Sequence, residues 1–298
     1  MTTRPSPSAS PPTGTFRPGR AAPSGGVLIT GAARRIGGAI AHELAAHGWA
    51  VAVHHKSSPA DAQGIVAAIK AAGGHAVAIE GDLTRPAELH GLIPRGAAAL
   101  GRPLTCLVNN ASLFEEDALE TLDPERWGAH LSVNLTAPVF LTKAFAAALP
   151  AGEKGNVINI IDQRVLRPIP LFFSYSVSKA ALWSATQMMA QALAPRIRVN
   201  AIGPGPVLRS IHQTEQQYAR QVAATPLERA TPLDEIARAI IFILDQPSMT
   251  GQMIALDGGQ HLAWRTPDVV DVEGAPKPPA NTAAIAARTA SSKGPDVQ

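Results

Sequence analysis

Short, nearly continuous apolar runs alternate along this chain with stretches whose apolar positions recur every three to four residues. The runs are Val27–Thr30, Ala50–His55, His75–Gly81, Leu104–Asn109, Asn156–Ile161, Ile197–Ile202 and Met253–Leu256. Runs of this kind, without polar alternation, fit parallel strands covered on both faces. Between the first two, Ile36, Ile40 and Leu44 recur at i, i+4 and i+8 among alanines, and Gly48 marks the helix end. Ala60–Ala72 repeats the arrangement with Ile65 and Ile69 ahead of a Gly73-Gly74 stop. Further on, Thr231 reads as a helix N-cap, Pro232 as the first helical residue, and Asp234 and Glu235 as acids in the first turn. Seven strands alternating with helices predict an α/β fold: one doubly wound domain with a seven-stranded parallel sheet.

Composition sets the domain limits. Residues 1–25 and 266–298 are rich in Pro, Ser and Ala and hold too little apolar surface to offset ordering entropy, so both are expected to be disordered. Residues 26–265 remain as the folded domain. The single cysteine, Cys106, lies in an apolar run, excludes an intrachain disulfide and suits a reducing, cytoplasmic setting. The longest apolar run, Ala239 to Leu244, is far too short to span a membrane. The net charge of +3 comes from scattered Lys and Arg without interleaved aromatics, which argues against nucleic acid and suits small anionic ligands.

The first strand runs into Gly31-Ala32-Ala33-Arg34-Arg35-Ile36-Gly37-Gly38. A glycine turn opening onto bare helix amides is suited to a pyrophosphate, as in Rossmann-type domains. Arg35 stands where a middle glycine is common. At the end of the second strand, an acid would favour a ribose 2′-hydroxyl. The chain instead has His54-His55-Lys56-Ser57, whose cation and hydroxyl suit a 2′-phosphate, so NADPH is expected over NADH. No third ligand stands near His54 and His55, so no metal is expected. Tyr175 and Lys179 are four apart, placing them on one helix face, and Asp162 lies thirteen positions upstream. On its own such a pair also fits a helix surface. If buried together, the ammonium could lower the phenol pKa from its usual ~10 and let Tyr175 donate a proton.

With these residues in view, the chain resembles the short-chain dehydrogenase/reductase family from Gly26 to Trp264. The matching motifs are Thr30–Gly37, Gly81-Asp82-Leu83, Asn109-Asn110-Ala111, Asn134, Tyr175-x-x-x-Lys179, Pro204-Gly205 and Leu256-Asp257-Gly258-Gly259. Two departures, Asp162 in place of the usual serine and Arg35 in the glycine loop, resemble the pteridine reductase branch and its dihydromonapterin and dihydrofolate reductase look-alikes. So does Asn109-Asn110-Ala111-Ser112-Leu113-Phe114.

The resemblance implies a catalytic group of Tyr175, Lys179, Asp162 and Asn134. It implies cofactor contacts at Thr30, Gly31, Arg35, Ile36, Gly37, His55, Lys56, Ser57, Asp82, Leu83, Asn110, Ala111, Lys179, Pro204, Gly205 and Val207. Arg35, Ser112, Phe114, Asp162 and Tyr175 would meet the substrate, with Phe114 stacked on a pterin ring. The implied activity is NADPH-dependent reduction of a dihydropterin or dihydrofolate by a homotetramer. The apolar helix after Lys179 (Leu182, Trp183, Met188, Met189) points to the same assembly. The alternatives are a carbonyl reductase of the same family and a non-catalytic NADP(H) sensor, although the latter generally lacks the Tyr/Lys pair.

Overall fold

The computed structural model describes residues 25–211 and 213–263. The expected disordered ends lie outside these residues, Gly25 excepted. Seven strands form one parallel sheet: β1 Gly26–Ile29, β2 Ala50–His55, β3 Ala76–Glu80, β4 Leu104–Asn109, β5 Gly155–Ile160, β6 Ile197–Pro204 and β7 Met253–Leu256. Their spatial order is β3-β2-β1-β4-β5-β6-β7. Every pairing is parallel, for example Val27 opposite Val51 and Ile29 opposite Val108. The helices are α1 Arg35–Ala46, α2 Pro59–Ala71, α3 Pro86–Leu100, α4 Pro124–Leu131, α5 Ala137–Ala148, α6 Phe173–Leu193, α7 Glu215–Ala223 and α8 Leu233–Leu244.

The period of two along each strand divides the core into two layers. Val27, Ile29, Val51 and Val53 point to Ile40 and Leu44 of α1 and Ile240 of α8. Leu28, Ala52 and Leu107, between them in sequence, point the other way to Leu92 and Ile93 of α3 and Leu141 and Phe145 of α5. Neither face of a central strand meets water, which is why these strands read as unbroken apolar runs. Cys106 is fully buried, and burial pushes its thiol up to about 12, which makes it inert.

One expectation needs correction. Helix α8 starts one residue later than its sequence implies, at Leu233, and Pro232 is the N-cap. Thr231 does not cap, because its hydroxyl donates to the Leu256 carbonyl of β7 at 2.6 Å. Among the described residues, one helical stretch, Pro124–Ala148, is long and apolar enough to cross a membrane by length and composition. It joins α4, a π-helical turn at Ser132–Thr136, and α5. It packs into this domain against α3 and α6.

Chain order reverses between β1 and β4, so the connections leaving their carboxyl ends diverge and open a crevice. The residues singled out in the sequence gather along that edge.

Candidate active site

The turn after β1 is held by side chains rather than by its own backbone. Thr30 Oγ1 accepts the amides of Asn110 and Ala111 at 2.9 and 3.0 Å. Asn110 Nδ2 donates back to the Thr30 and Gly31 carbonyls at 2.8 and 3.1 Å. These contacts tie β1 to β4 and shape the loop. A Cβ on Gly37 would collide with Gly31 O and the Asn110 amide, so only glycine allows α1 to start this close to the turn. Arg34, the N-cap of α1, makes no side-chain cap bond, and Ile36 lies in the first turn. Arg35 has a left-handed backbone, with φ of 52°, a conformation that favours glycine. Its guanidinium donates to the Leu208 and Arg209 carbonyls at 3.3 and 3.2 Å, tethering the turn to the segment after β6. In that segment Gly205 lies against Asp257, Pro204 is buried, and Val207 O accepts the Tyr218 hydroxyl at 2.8 Å.

His54 holds the same turn from beneath. Its Nδ1 accepts the Gly31 amide at 3.0 Å, so its Nε2 carries the proton and donates to Gly81 O at 3.0 Å. Burial lowers its pKa to about 4. Between pH ~4 and ~6.5 the unfolded chain therefore binds a proton that the native imidazole refuses. This stabilisation is fully present above about pH 6.5 and is lost as pH falls toward 4, by roughly 3 kcal/mol in all. His42 and His130 shift in the same direction through burial. The thermal midpoint should therefore fall between pH ~7.5 and ~5. An unchanged midpoint over that interval contradicts the reading of His54 as a buried neutral clamp.

At the end of β2, His55 is buried and its Nδ1 has no hydrogen-bond partner within the protein, while Lys56 and Ser57 are exposed. Lys56 Nζ pairs with Asp82 Oδ2 at 3.0 Å, and the neighbouring Leu83 is buried. Burial opposes ionisation of Asp82, but hydrogen bonds from Thr84 and Lys56 outweigh it and hold its carboxyl at about 2. A glycine cradle, uncapped helix amides, an orphaned imidazole nitrogen and an exposed ammonium fit a dinucleotide with a 2′-phosphate.

The catalytic candidates converge at the ends of β5 and α6. Asp162 Oδ2 accepts the Tyr175 hydroxyl at 2.8 Å, and its Oδ1 accepts the Arg164 amide at 2.8 Å. Asp162 is therefore both a partner of the phenol and the cap of a 3-10 turn at Gln163–Val165. Lys179 is buried, donates to Ile160 O at 2.9 Å, and stands 5.7 Å from the centre of the Tyr175 ring. Burial lowers its pKa to about 8, with Asp162 opposing. The phenol does not behave as expected from its spacing to Lys179. Burial and then the Asp162 carboxylate raise the Tyr175 pKa well above 10, and the cation working against them is Arg164. Tyr175 therefore stays protonated and its proton faces a carboxylate.

The side chain of Asn134 hydrogen-bonds to neither Tyr175 nor Lys179. It sits in the π-helical turn with its amide fully used. Oδ1 accepts Leu113 N and the Ser112 hydroxyl at 2.8 and 3.2 Å, and Nδ2 donates to Leu113 O and Ser178 Oγ at 2.9 and 3.1 Å. It fixes the loop after β4 to α6. That loop carries Phe114, whose ring meets Tyr175 edge-on at 4.7 Å and stacks on Phe172 at 4.4 Å. Phe172 has φ of 54°, an unfavourable backbone for a bulky residue. Arg164 and Phe172 are the site residues that sequence reasoning missed. The guanidinium lies 5.6, 5.0 and 6.0 Å from the centres of the Phe114, Phe172 and Tyr175 rings and 3.8 Å from Asp162. An arginine two residues past a strand-end carboxylate was the available signal.

Comparison with known proteins agrees with this geometry. The short chain dehydrogenase family profile matches residues 26–219. The crystal structure of FolM, alternative dihydrofolate reductase 1 from Brucella suis, in complex with NADP, is 49% identical, covers 82% of this chain and 98% of its own, and superposes with a TM-score of 0.79. A short chain dehydrogenase from Burkholderia cenocepacia, also in complex with NADP, is 33% identical over 80% of this chain and 98% of its own, with a TM-score of 0.74. A 3-oxoacyl-[acyl-carrier-protein] reductase from Synechocystis is 34% identical over 78% of this chain and 95% of its own.

Proposed function

We propose that this chain, which belongs to the short-chain dehydrogenase family and is an NADP(H)-dependent reductase within it, reduces a dihydropterin or dihydrofolate. The observation that carries the proposal is the Asp162 carboxylate 2.8 Å from the Tyr175 hydroxyl, where the family's usual serine would place a hydroxyl. A hydroxyl is suited to donate to a ketone oxygen. A carboxyl paired with a phenol can instead hold and pass a proton to a ring nitrogen. The Brucella FolM likeness supports the same substrate class.

NADPH, held by the Gly31–Gly37 turn, His55 and Lys56, would supply a hydride to a C=N carbon. The chain's own part is to hold the substrate ring by Phe114, keep the proton on Tyr175, and deliver it to the nitrogen. The negative charge left on Tyr175 would then face the Arg164 guanidinium and the Lys179 ammonium, 6.0 and 5.7 Å from the centre of its ring. Lys179, an ammonium below about pH 8 that donates to Ile160 O at the end of β5, would orient the cofactor. Arg35 joins the pyrophosphate turn to the segment beyond β6, so one side chain would serve both ligands.

NADPH oxidation against dihydrobiopterin, dihydromonapterin, dihydrofolate and simple ketones tests the proposal. Reduction of ketones alone would leave the carbonyl reductase reading, which the Synechocystis likeness favours.

Cofactor choice rests on Lys56 and Ser57. Charge-assisted bonds of roughly 1.5–3 kcal/mol each should favour NADPH over NADH by at least about tenfold. Lys56→Asp would put a second carboxylate beside Asp82 and should narrow or invert that preference in fluorescence titrations. Equal affinities in the parent would refute the assignment.

The homotetramer is part of the same proposal. Met188 on α6 is 69% exposed and Phe140 on α5 40%, and these two helices pack side by side. Large apolar groups left on adjacent helices are what a second copy would cover. Sedimentation that finds only the 31.0 kDa monomer would remove it.

A further inference from the structure

Directly beneath the active site lies a buried polar cluster that the proposed chemistry does not use. Asp117, from the loop after β4, His130, from the end of α4, and Ser174, from the first turn of α6, are 3%, 0% and 0% exposed. The Ser174 hydroxyl donates to Asp117 Oδ2, and the Ser174 amide donates to Asp117 Oδ1 at 3.1 Å. Phe173 N donates to the Asp117 carbonyl at 3.3 Å. His130 Nδ1 lies 2.7 Å from Ser174 Oγ and 3.1 Å from Arg126 O, and its Nε2 accepts the Glu115 amide at 3.2 Å.

These contacts fix the tautomer. A backbone amide can only donate, so Nε2 must be bare, and the ring proton sits on Nδ1 facing two acceptors. The protons therefore run one way, from His130 to Ser174 and from Ser174 to Asp117. This is not a nucleophile triad. Serine, not histidine, is the middle member, the carboxylate does not touch the imidazole, and no member reaches solvent.

The cluster joins two pieces of the active site. Helix α6 has no side-chain cap of its own, since its N-cap is Phe172. Asp117 supplies the missing acceptor from 57 residues away, an anion at the positive end of the helix that carries Tyr175 and Lys179. At the other end of the cluster, Glu115 is the residue after Phe114. The geometry points to Asp117, Ser174 and His130 as positioning residues that lock the Phe114 loop to the start of the catalytic helix, a lock that holds only while His130 Nε2 accepts the Glu115 amide. Protonating His130 would set an N–H against an N–H and release the loop beside Phe114. The loop presents the charges of Asp117 and Glu115 to the imidazole, its own helix presents Arg126, and α6 presents Ser174 and the Tyr175 ring. Burial disfavours the imidazolium, which places the release on the acid side of neutrality.

The inference rests on Phe114 lying at the substrate, not on which substrate it is. It is tested on the full chain with NADPH and dihydrobiopterin from about pH 7.5 to about pH 5.5, with NADPH affinity and amide exchange of the peptide 112–118 measured alongside. In the parent, KM for the pterin should rise by about fivefold toward acid, the loss of one hydrogen bond, while NADPH affinity holds. His130→Gln keeps an acceptor for Glu115 that does not titrate, so its KM profile and its exchange should be flat once the intrinsic pH dependence is removed. Ser174→Ala should raise KM and loop exchange at every pH. A parent and His130→Gln with the same pH profile would overturn the inference, as would Ser174→Ala with parental KM and exchange. If neither dihydrobiopterin, dihydromonapterin nor dihydrofolate is reduced, the pterin reading fails, and the exchange comparison, which needs no substrate, still decides this one.

Discussion

Tyr175→Phe should lower turnover by roughly 10²–10⁴ while leaving NADPH affinity close to that of the parent. The substitution removes one oxygen and little else. The ring contacts with Phe114 at 4.7 Å and Lys179 at 5.7 Å are kept, and the hydroxyl's bond goes only to Asp162. Lys179 still donates to Ile160 O, so the ammonium that would orient the cofactor is not displaced. What disappears is the protonated phenol that burial and Asp162 hold well above its usual pKa. Fluorescence titration with NADPH and single-turnover kinetics separate the two effects. A variant that keeps more than about a tenth of parental turnover would show that Tyr175 is not the proton donor. Loss of NADPH binding in step with turnover would show a structural role instead.

The sheet was legible because its strands are covered on both faces. Ala50–His55 and Leu104–Asn109 match β2 and β4 end to end, since both strands are buried along their whole length, and Met253–Leu256 matches the edge strand β7. The cofactor turn was legible for a different reason: Gly31 and Gly37 occupy places where φ or close approach admits little else. Contacts that depend on distant partners could not be read. Thr231 looks like a cap until the Leu256 carbonyl is placed beside it, 25 residues on. The acceptor that α6 needs is Asp117, which no local pattern links to Ser174. The phenol pKa failed similarly. The spacing of Tyr175 and Lys179 is right, but burial and the Asp162 carboxylate raise the phenol pKa, and the cation that opposes them is Arg164, from another element.

Asp162→Ser should separate the two substrate classes. The fold should tolerate it, because a serine hydroxyl can still accept the Arg164 amide that Asp162 Oδ1 accepts now, and serine is a good cap. The site loses the second oxygen at the Tyr175 hydroxyl and the negative charge that faces Arg164 at 3.8 Å. Both changes act on the proton donor. The phenol loses the carboxylate that helps raise its pKa, and Lys179 loses the charge that opposes its own lowering. The result is a hydroxyl pair beside a cation, an arrangement suited to a carbonyl oxygen and lacking the carboxyl that would work with the phenol at a ring nitrogen. Dihydropterin reduction should therefore fall by about 10² or more, while ketone reduction persists or rises. NADPH affinity should stay near the parent's, since Asp162 touches none of the residues around Gly31 and Lys56. The measurement is kcat/KM for a dihydropterin and for a ketone in both proteins. Equal dihydropterin reduction by the variant and its parent would mean that Asp162 serves only as the cap of the turn it begins.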